Sequence, residues 1–223
     1  MSIAENLHKI KNQIPKQVKL VAVSKTKTVE EIMIAYNSGQ RIFGENKVQE
    51  LMTKYQSLPK DIEWHMIGHL QSNKVKYIAP FINLIHSVDN IKLLEIINYE
   101  AKKNTRIIDC LLQIHIASEE TKFGLTKCEA EAIIQSEIYK ISNNMRLCGI
   151  MGMATYTKDM NKVRKEFRYL RSLFHEFKEK FFIENHEFNE ISMGMSVDYP
   201  VAIEEGSTII RLGSIIFGER IQN

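Results

Sequence analysis

The sequence predicts an α/β chain closed as a (β/α)8 TIM barrel with one extra N-terminal helix, and three observations predict it. Short apolar runs alternate with longer segments of helical period along the chain, and alternating β and α means a parallel sheet. Eight such units fit within 223 residues, a length in which they can close on themselves. The first strand-to-helix turn reads SKTKT, without the G-x-G-x-x-G that usually opens a doubly wound nucleotide-binding sheet.

The elements follow in order. MSIAENLHKIKNQIPKQ places Ile3, Leu7, Ile10 and Ile14 at helical spacing with charges between. This predicts a short amphipathic helix, too polar for a signal peptide. The first four predicted strands are Leu20–Ser24, Arg41–Gly44, Glu63–Ile67 and Asn83–Ser87. The last four are Ile108–Ile116, Arg146–Met151, Glu190–Met193 and Ile209–Leu212. Between them, Val29, Ile32, Met33 and Tyr36 share a helical face, as do Leu94, Ile97 and Ala101. Val163, Phe167, Leu170, Phe174, Phe177 and Phe181 form a 4-3-4-3-4 seam. It is not sustained past three heptads, so a helix laid on a sheet is expected ahead of a coiled-coil partner.

No low-complexity stretch or linker interrupts the pattern, and 4 prolines and 10 glycines mark no boundary, so residues 1–223 read as one domain. The 30 basic and 27 acidic residues interleave for a net charge of +3. Neither a nucleic-acid patch nor a polybasic membrane segment stands out, and no apolar run approaches a membrane span. Cys110, Cys128 and Cys148 are an odd set without metal spacing, which suits a reducing cytoplasm. All three are expected as small buried hydrophobes. No H-E-x-x-H or comparable metal pattern occurs.

Barrel active sites collect at the C-terminal ends of strands, and the unusual residues fall there. Lys25 follows strand one with the parity of Val21 and Val23. It is either a surface lysine that snorkels to water or an amine whose desolvation frees it as a nucleophile toward carbonyls; position alone leaves both open. Asn46 ends FGEN and can hydrogen-bond a ligand or cap the helix beginning at Lys47, and spacing favours the cap. His65 and His69 lie on or after strand three, His65 reading as a core histidine.

The loops after strands seven and eight, SMGMSVDYP and RLGSIIFG, stand where barrels often hold a phosphate. Ser192 and Ser214 can donate hydroxyls, and Gly194 and Gly213 allow close backbone approach. Ordinary turn chemistry is the alternative; two such loops at the two expected positions favour phosphate. Asp198 is an awkward neighbour for a dianion and is expected to face away as a helix cap. Arg211 on strand eight must meet a carboxylate or a ligand, and the barrel mouth favours the ligand. A Schiff-base lysine, a phosphate cup and an arginine suit pyridoxal 5′-phosphate, with its aldehyde, phosphate and ring nitrogen.

The segments AVSKTK, FGENKVQE, WHMIGHLQSNK, SVD at 87–89, SMGMSVDYP and RLGSIIFGER stand in that order. Together they resemble the pyridoxal phosphate homeostasis proteins, the YggS/PROSC-type family, which are similar to the barrel domain of bacterial alanine racemase. The resemblance covers residues 3–220 or so. It implies a single barrel with pyridoxal phosphate on Lys25 and Asn46 near the cofactor ring. It implies phosphate contacts from Ser192, Gly213 and Ser214, and Arg211 at the ring nitrogen. It further implies a carrier or regulator of the cofactor supply, with no established turnover. Lys47 departs from a usual tyrosine and His115 from a usual small polar residue, while SEETKFGL keeps the general look.

An arginine at the ring nitrogen weakens the ring as an electron sink, and the chain ends just after strand eight, without room for a racemase's second domain and its tyrosine. The expectation is therefore a non-catalytic cytoplasmic protein that holds and releases pyridoxal phosphate, with apo pyridoxal-phosphate enzymes as recipients. Nothing demands a dimer, so a monomer is expected. Two other readings stand behind it. One is a slow, racemase-like amino-acid enzyme using Lys25, with His65, His115 or Tyr156 over the cofactor. The other is a cofactor-free Schiff-base aldolase on a phosphorylated sugar.

Overall fold

Three Ser/Thr-x-x-Glu sequences start helices as reciprocal capping boxes, in which the hydroxyl and the glutamate each satisfy the other's free backbone N–H. They are Ser2/Glu5, Thr28/Glu31 and Thr126/Glu129. The computed structural model describes residues 2–118 and 123–218. The middle of SEETKFGL, 119–122, and the end of RLGSIIFGER lie outside the described residues. In chain order the elements are α1 (Ile3–Gln13), β1 (Lys19–Val23), α2 (Val29–Asn37), β2 (Ile42–Glu45), α3 (Val48–Ser57) and β3 (Glu63–Met66). A single 3-10 turn (Ser72–Lys74) leads into α4 (Val75–Ile78), β4 (Leu84–Val88), α5 (Ile91–Lys103) and β5 (Ile108–Ile114). Then come α6 (Lys127–Gln135), α7 (Glu137–Lys140), β6 (Met145–Gly152), α8 (Met160–Phe181), β7 (Glu190–Ser192), α9 (Tyr199–Glu204), β8 (Ile209–Leu212) and α10 (Ser214–Phe217).

The eight strands pair in sequence order, every pairing is parallel, and β1 pairs β8 to close the barrel. Val21 lies opposite Arg211, and Gly44 opposite His65. Alternation along the strands fills the barrel interior with Val21, Leu84, Leu111, Cys148, Met151 and Ile209, a small apolar cluster apart from the main core. The larger core lies between strands and helices and holds Phe43, Trp64 and Phe167. The α1 helix buries Leu7 and Ile10 and is tied to α10 by Asn6 Nδ2, which donates to Ile216 O at 3.0 Å.

The aromatic seam is a helix on a sheet. Val163, Phe167, Leu170, Phe174 and Phe177 of α8 are buried, while Phe181 is half-buried. Packing on β6 is close enough that a Cβ on Gly152 would meet Leu170 Cδ2 at 2.8 Å.

Strand ends shift by one or two residues from expectation everywhere but β8, and two of the shifts bear on the site. β1 stops at Val23, so Lys25 sits in a turn. β5 stops at Ile114, because His115 N donates to Leu125 O and Leu125 N to Gln113 O, diverting the chain from its strand neighbours. One burial expectation is corrected: Cys110 and Cys148 are buried, but Cys128 is exposed on α6. Among the described residues no helix is long and apolar enough to cross a membrane.

Phe167 is fully buried beneath α8. Phe167→Ala should cost about 3–5 kcal/mol through lost transfer energy and a residual cavity. Urea unfolding should show a lower midpoint at unchanged slope; an unchanged midpoint would contradict the packing described.

Candidate functional site

A cavity of about 420 Å³ opens at the C-terminal ends of the strands. Its wall carries Lys25, Asn46, Arg211, Gly213 and Ser214, together with the loops 154–157 and 195–198. The volume suits a small ligand. Five of the seven residues singled out from sequence therefore meet on one surface. Ser192 and Gly194 do not lie on it.

Lys25 reaches the wall because Val21 and Val23 before it face the interior, Val23 also lining the cavity. Across the β1–β8 register, opposite Val21, stands Arg211, only 4% exposed. A buried guanidinium needs acceptors for its donors. Nη1 donates to Ser192 Oγ at 2.5 Å and Nη2 to Gly152 O at 3.2 Å, neither of which is a carboxylate. Burial pushes its pKa down to about 10, with Asp198 acting the other way, so it is charged at neutral pH.

Ser192, expected at the phosphate, lies away from the cavity wall. It is the last residue of β7 and wholly buried, with its hydroxyl between Arg211 and His86. From there the chain continues inward: His86 Nδ1 lies 2.9 Å from Ser192 Oγ, and His86 Nε2 lies 3.0 Å from His65 Nδ1. Burial drives the His65 pKa down to about 3 and that of His86 well below the usual imidazole range. Both rings are neutral at pH 7, so each has one donor and one acceptor nitrogen to pass along the chain. His65 is the core histidine expected. His86 was not anticipated, and no local pattern around LIHSV marks it.

The hydroxyl that does line the cavity on this loop is Ser196, whose Oγ accepts from Gly213 N at 3.3 Å. SMGMS contains both serines, and only the length of β7 tells which belongs to the strand. Gly194 has φ +95°, and a Cβ there would lie 2.6 Å from Ala202 Cβ. Glycine is required for the turn into α9, not for ligand approach. Gly213 lies on the wall, where a Cβ would sit 3.4 Å from Val23. Ser214 beside it opens α10.

Two expected caps are also corrected. The N-cap of α3 is Lys47, without a side-chain hydrogen bond, and α3 begins at Val48. Asn46 instead lies on the cavity wall, and its buried Oδ1 has no hydrogen-bond partner among the described residues. Asp198 holds the N-cap position of α9 but makes no capping bond; its carboxylate accepts from Met195 N at 2.6 Å, and it lines the cavity. Lys47 is exposed and, like His65, His69 and His115, is not on the wall. His69 lies 3.2 Å from Asp89 and stacks on Phe123. Tyr156 is on the wall and 85% exposed.

The alanine racemase N-terminal domain family matches residues 1–221. A pyridoxal phosphate homeostasis protein of Aquifex aeolicus is 42% identical over 204 residues, covering 91% of this chain and 87% of that protein. One of Vibrio alginolyticus is 36% identical over 234 residues and covers 98% of each. Among solved structures, PipY of Synechococcus elongatus PCC7942 with PLP bound superposes with a TM-score of 0.88 at 33% identity, over 97% of this chain and 100% of that one.

The buried imidazoles make stability depend on pH. A histidine depressed to about 3 in the fold, against about 6.5 unfolded, contributes fully above pH 6.5. That contribution is lost as pH falls toward 3, with a limiting slope of about 1.4 kcal/mol per pH unit per ring. The urea midpoint should fall between pH 7 and pH 5, and His65→Gln should flatten that fall. Identical pH slopes for wild type and variant would contradict a neutral buried His65.

Proposed function

The chain belongs to the pyridoxal phosphate homeostasis family, and from that premise we propose that it binds pyridoxal 5′-phosphate as a Schiff base on Lys25 and serves as a carrier and regulator of the cofactor. The observation that carries this reading is the meeting, across the β1–β8 seam, of a half-buried primary amine and a buried guanidinium hydrogen-bonded to neutral groups.

The residues present fit the group. Lys25 would hold the group through its amine, which is suited to condense with an aldehyde with loss of one water. Arg211 has donors beyond the two already used, which suit a ring nitrogen left unprotonated. Asn46 Oδ1, without a partner among the described residues, would accept from a donor on the ring side of the group. Ser196, Gly213 and Ser214 gather on the wall at the start of α10, where the first N–H groups of a helix lack intrahelical acceptors and favour a phosphate. Ser192 then acts on the cofactor through Arg211, and Gly194 through the loop it turns.

Carriage is favoured over turnover. Bound cofactor supplies electron-sink chemistry, and a guanidinium at the ring nitrogen weakens it. Of the three residues considered as a second proton-transfer group, only Tyr156 lies on the wall, and it points largely into solvent. A slow amino-acid enzyme remains the second reading. The aldolase reading leaves Arg211 without a role. Recipients of the cofactor are apo pyridoxal-phosphate enzymes, and the protein acts as a monomeric single barrel. Three free thiols fit a reducing cytoplasm.

Purified protein should be yellow, lose its visible band on borohydride reduction and carry the cofactor on the Lys25 peptide by mass. Lys25→Ala should abolish that attachment. A colourless protein that takes up no added pyridoxal phosphate would overturn the assignment. Holo-protein should also restore activity to an apo pyridoxal-phosphate enzyme; failure where free cofactor succeeds would remove the delivery role.

A further inference from the structure

The turn that presents Lys25 is held from both sides by one helix. Lys54 of α3, with a side chain 6% exposed, places Nζ 2.7 Å from Ser24 O, the carbonyl of the peptide entering Lys25. The same ammonium lies 2.7 Å from Glu45 Oε1 and 2.6 Å from Glu50 Oε1, using its three donors. Glu50 Oε1 in turn accepts from Thr26 N at 2.5 Å, the N–H of the peptide leaving Lys25. Ser24 Oγ adds a 2.6 Å bond to Glu45 Oε1. Both peptide groups flanking Lys25 are thus gripped by a single i,i+4 ion pair.

What the grip maintains is unusual. Thr26 has φ +66°, and only it and Thr105 among the described non-glycine residues have positive φ. A β-branched residue enters that region only when its surroundings over-determine it. Burying a Lys–Glu pair is a weak source of stability, since desolvation offsets the attraction. Holding a disfavoured turn in one conformation is a use that geometry does support. Released, Thr26 would relax toward negative φ and re-aim the chain at Lys25.

We propose that Lys54 and Glu50 are positioning residues for Lys25, holding the 24–26 turn in the strained conformation that aims its amine into the cavity. The proposal rests on Lys25 as the cofactor's point of attachment. It predicts that the pair affects bond formation at the amine and leaves recognition of the ring and phosphate alone.

The test uses full-length protein, wild type and Glu50→Ala, with two probes. Glu50 is one-quarter exposed, and its loss leaves Lys54 paired to Glu45, so this variant is expected to fold. Pyridoxal 5′-phosphate reads attachment, as the rate of borohydride-trapped label on the Lys25 peptide. 4′-Deoxypyridoxine 5′-phosphate, which has no aldehyde, reads non-covalent binding. Glu50→Ala should slow attachment by at least about tenfold, as misaimed reacting groups do, while deoxypyridoxine phosphate affinity changes by less than about twofold. Amide exchange at Thr26 should accelerate in the apo variant, a readout independent of any ligand, and Lys54→Met should reproduce the pattern. Equal losses with both probes would reduce the pair to general scaffolding and overturn the proposal, as would unchanged attachment. Wild-type protein that borohydride cannot label would overturn the Lys25 reading itself, and is recognised before any variant is made.

Discussion

Closure of β8 onto β1 is the constraint on which the site depends. Lys25 and Arg211 are far apart in sequence, and neither has reason to be near the other until the first and last strands pair with Val21 opposite Arg211. That pairing lays Gly213 against Val23 and brings the start of α10 to the side of Lys25. An open sheet with the same strands would leave its first and last edges apart, and the amine, the guanidinium and the Ser–Gly loops would not share a cavity.

Closure carries an electrostatic cost, because it buries a guanidinium. The molecule meets it with neutral partners instead of a countercharge in direct contact. Ser192, His86 and His65 form a hydrogen-bonded chain through the barrel interior, satisfying polar atoms without adding charge. A carboxylate in place of Ser192 would neutralise Arg211 and change what it offers a ligand. The neutral chain keeps the cation available at the mouth.

The mouth is held by acids that helices send back to the loops. Glu50 takes Thr26 N, Glu166 of α8 takes Thr155 N and Oγ1, and Asp198 takes Met195 N. Glu205, after α9, would be pushed up by burial, but Arg164 and Arg168 of α8 hold it and bring its pKa below the usual carboxylate range. Loops around a barrel mouth would otherwise be its loosest parts. Here the three loops presenting Lys25, Thr155 and Ser196 are each pinned at a backbone amide by a carboxylate.

The sequence by itself determined what depends on short-range order. Helical period located α1, α2, α5 and α8, apolar runs located the strands, and their alternation implied a parallel sheet. The rule that barrel chemistry sits after strands picked out Lys25, Asn46, Arg211, Gly213 and Ser214, which share the cavity wall. The motif resemblance agreed with the family found. Tertiary structure alone decided the rest. Ser192 and Ser196 are four residues apart in one motif, and only the length of β7 and the reach of Arg211 send one inward and the other to the wall. Asn46 looks like a cap until α3 is seen to start later. Cys128 looks like a core thiol until α6 turns it outward. His86 and the Lys54–Glu50 grip leave no mark along the chain because their partners lie 106 and 24 to 30 positions away. Hydrogen bonds of that kind exist only once the strands have paired and the helices have packed on them, and no local periodicity encodes them.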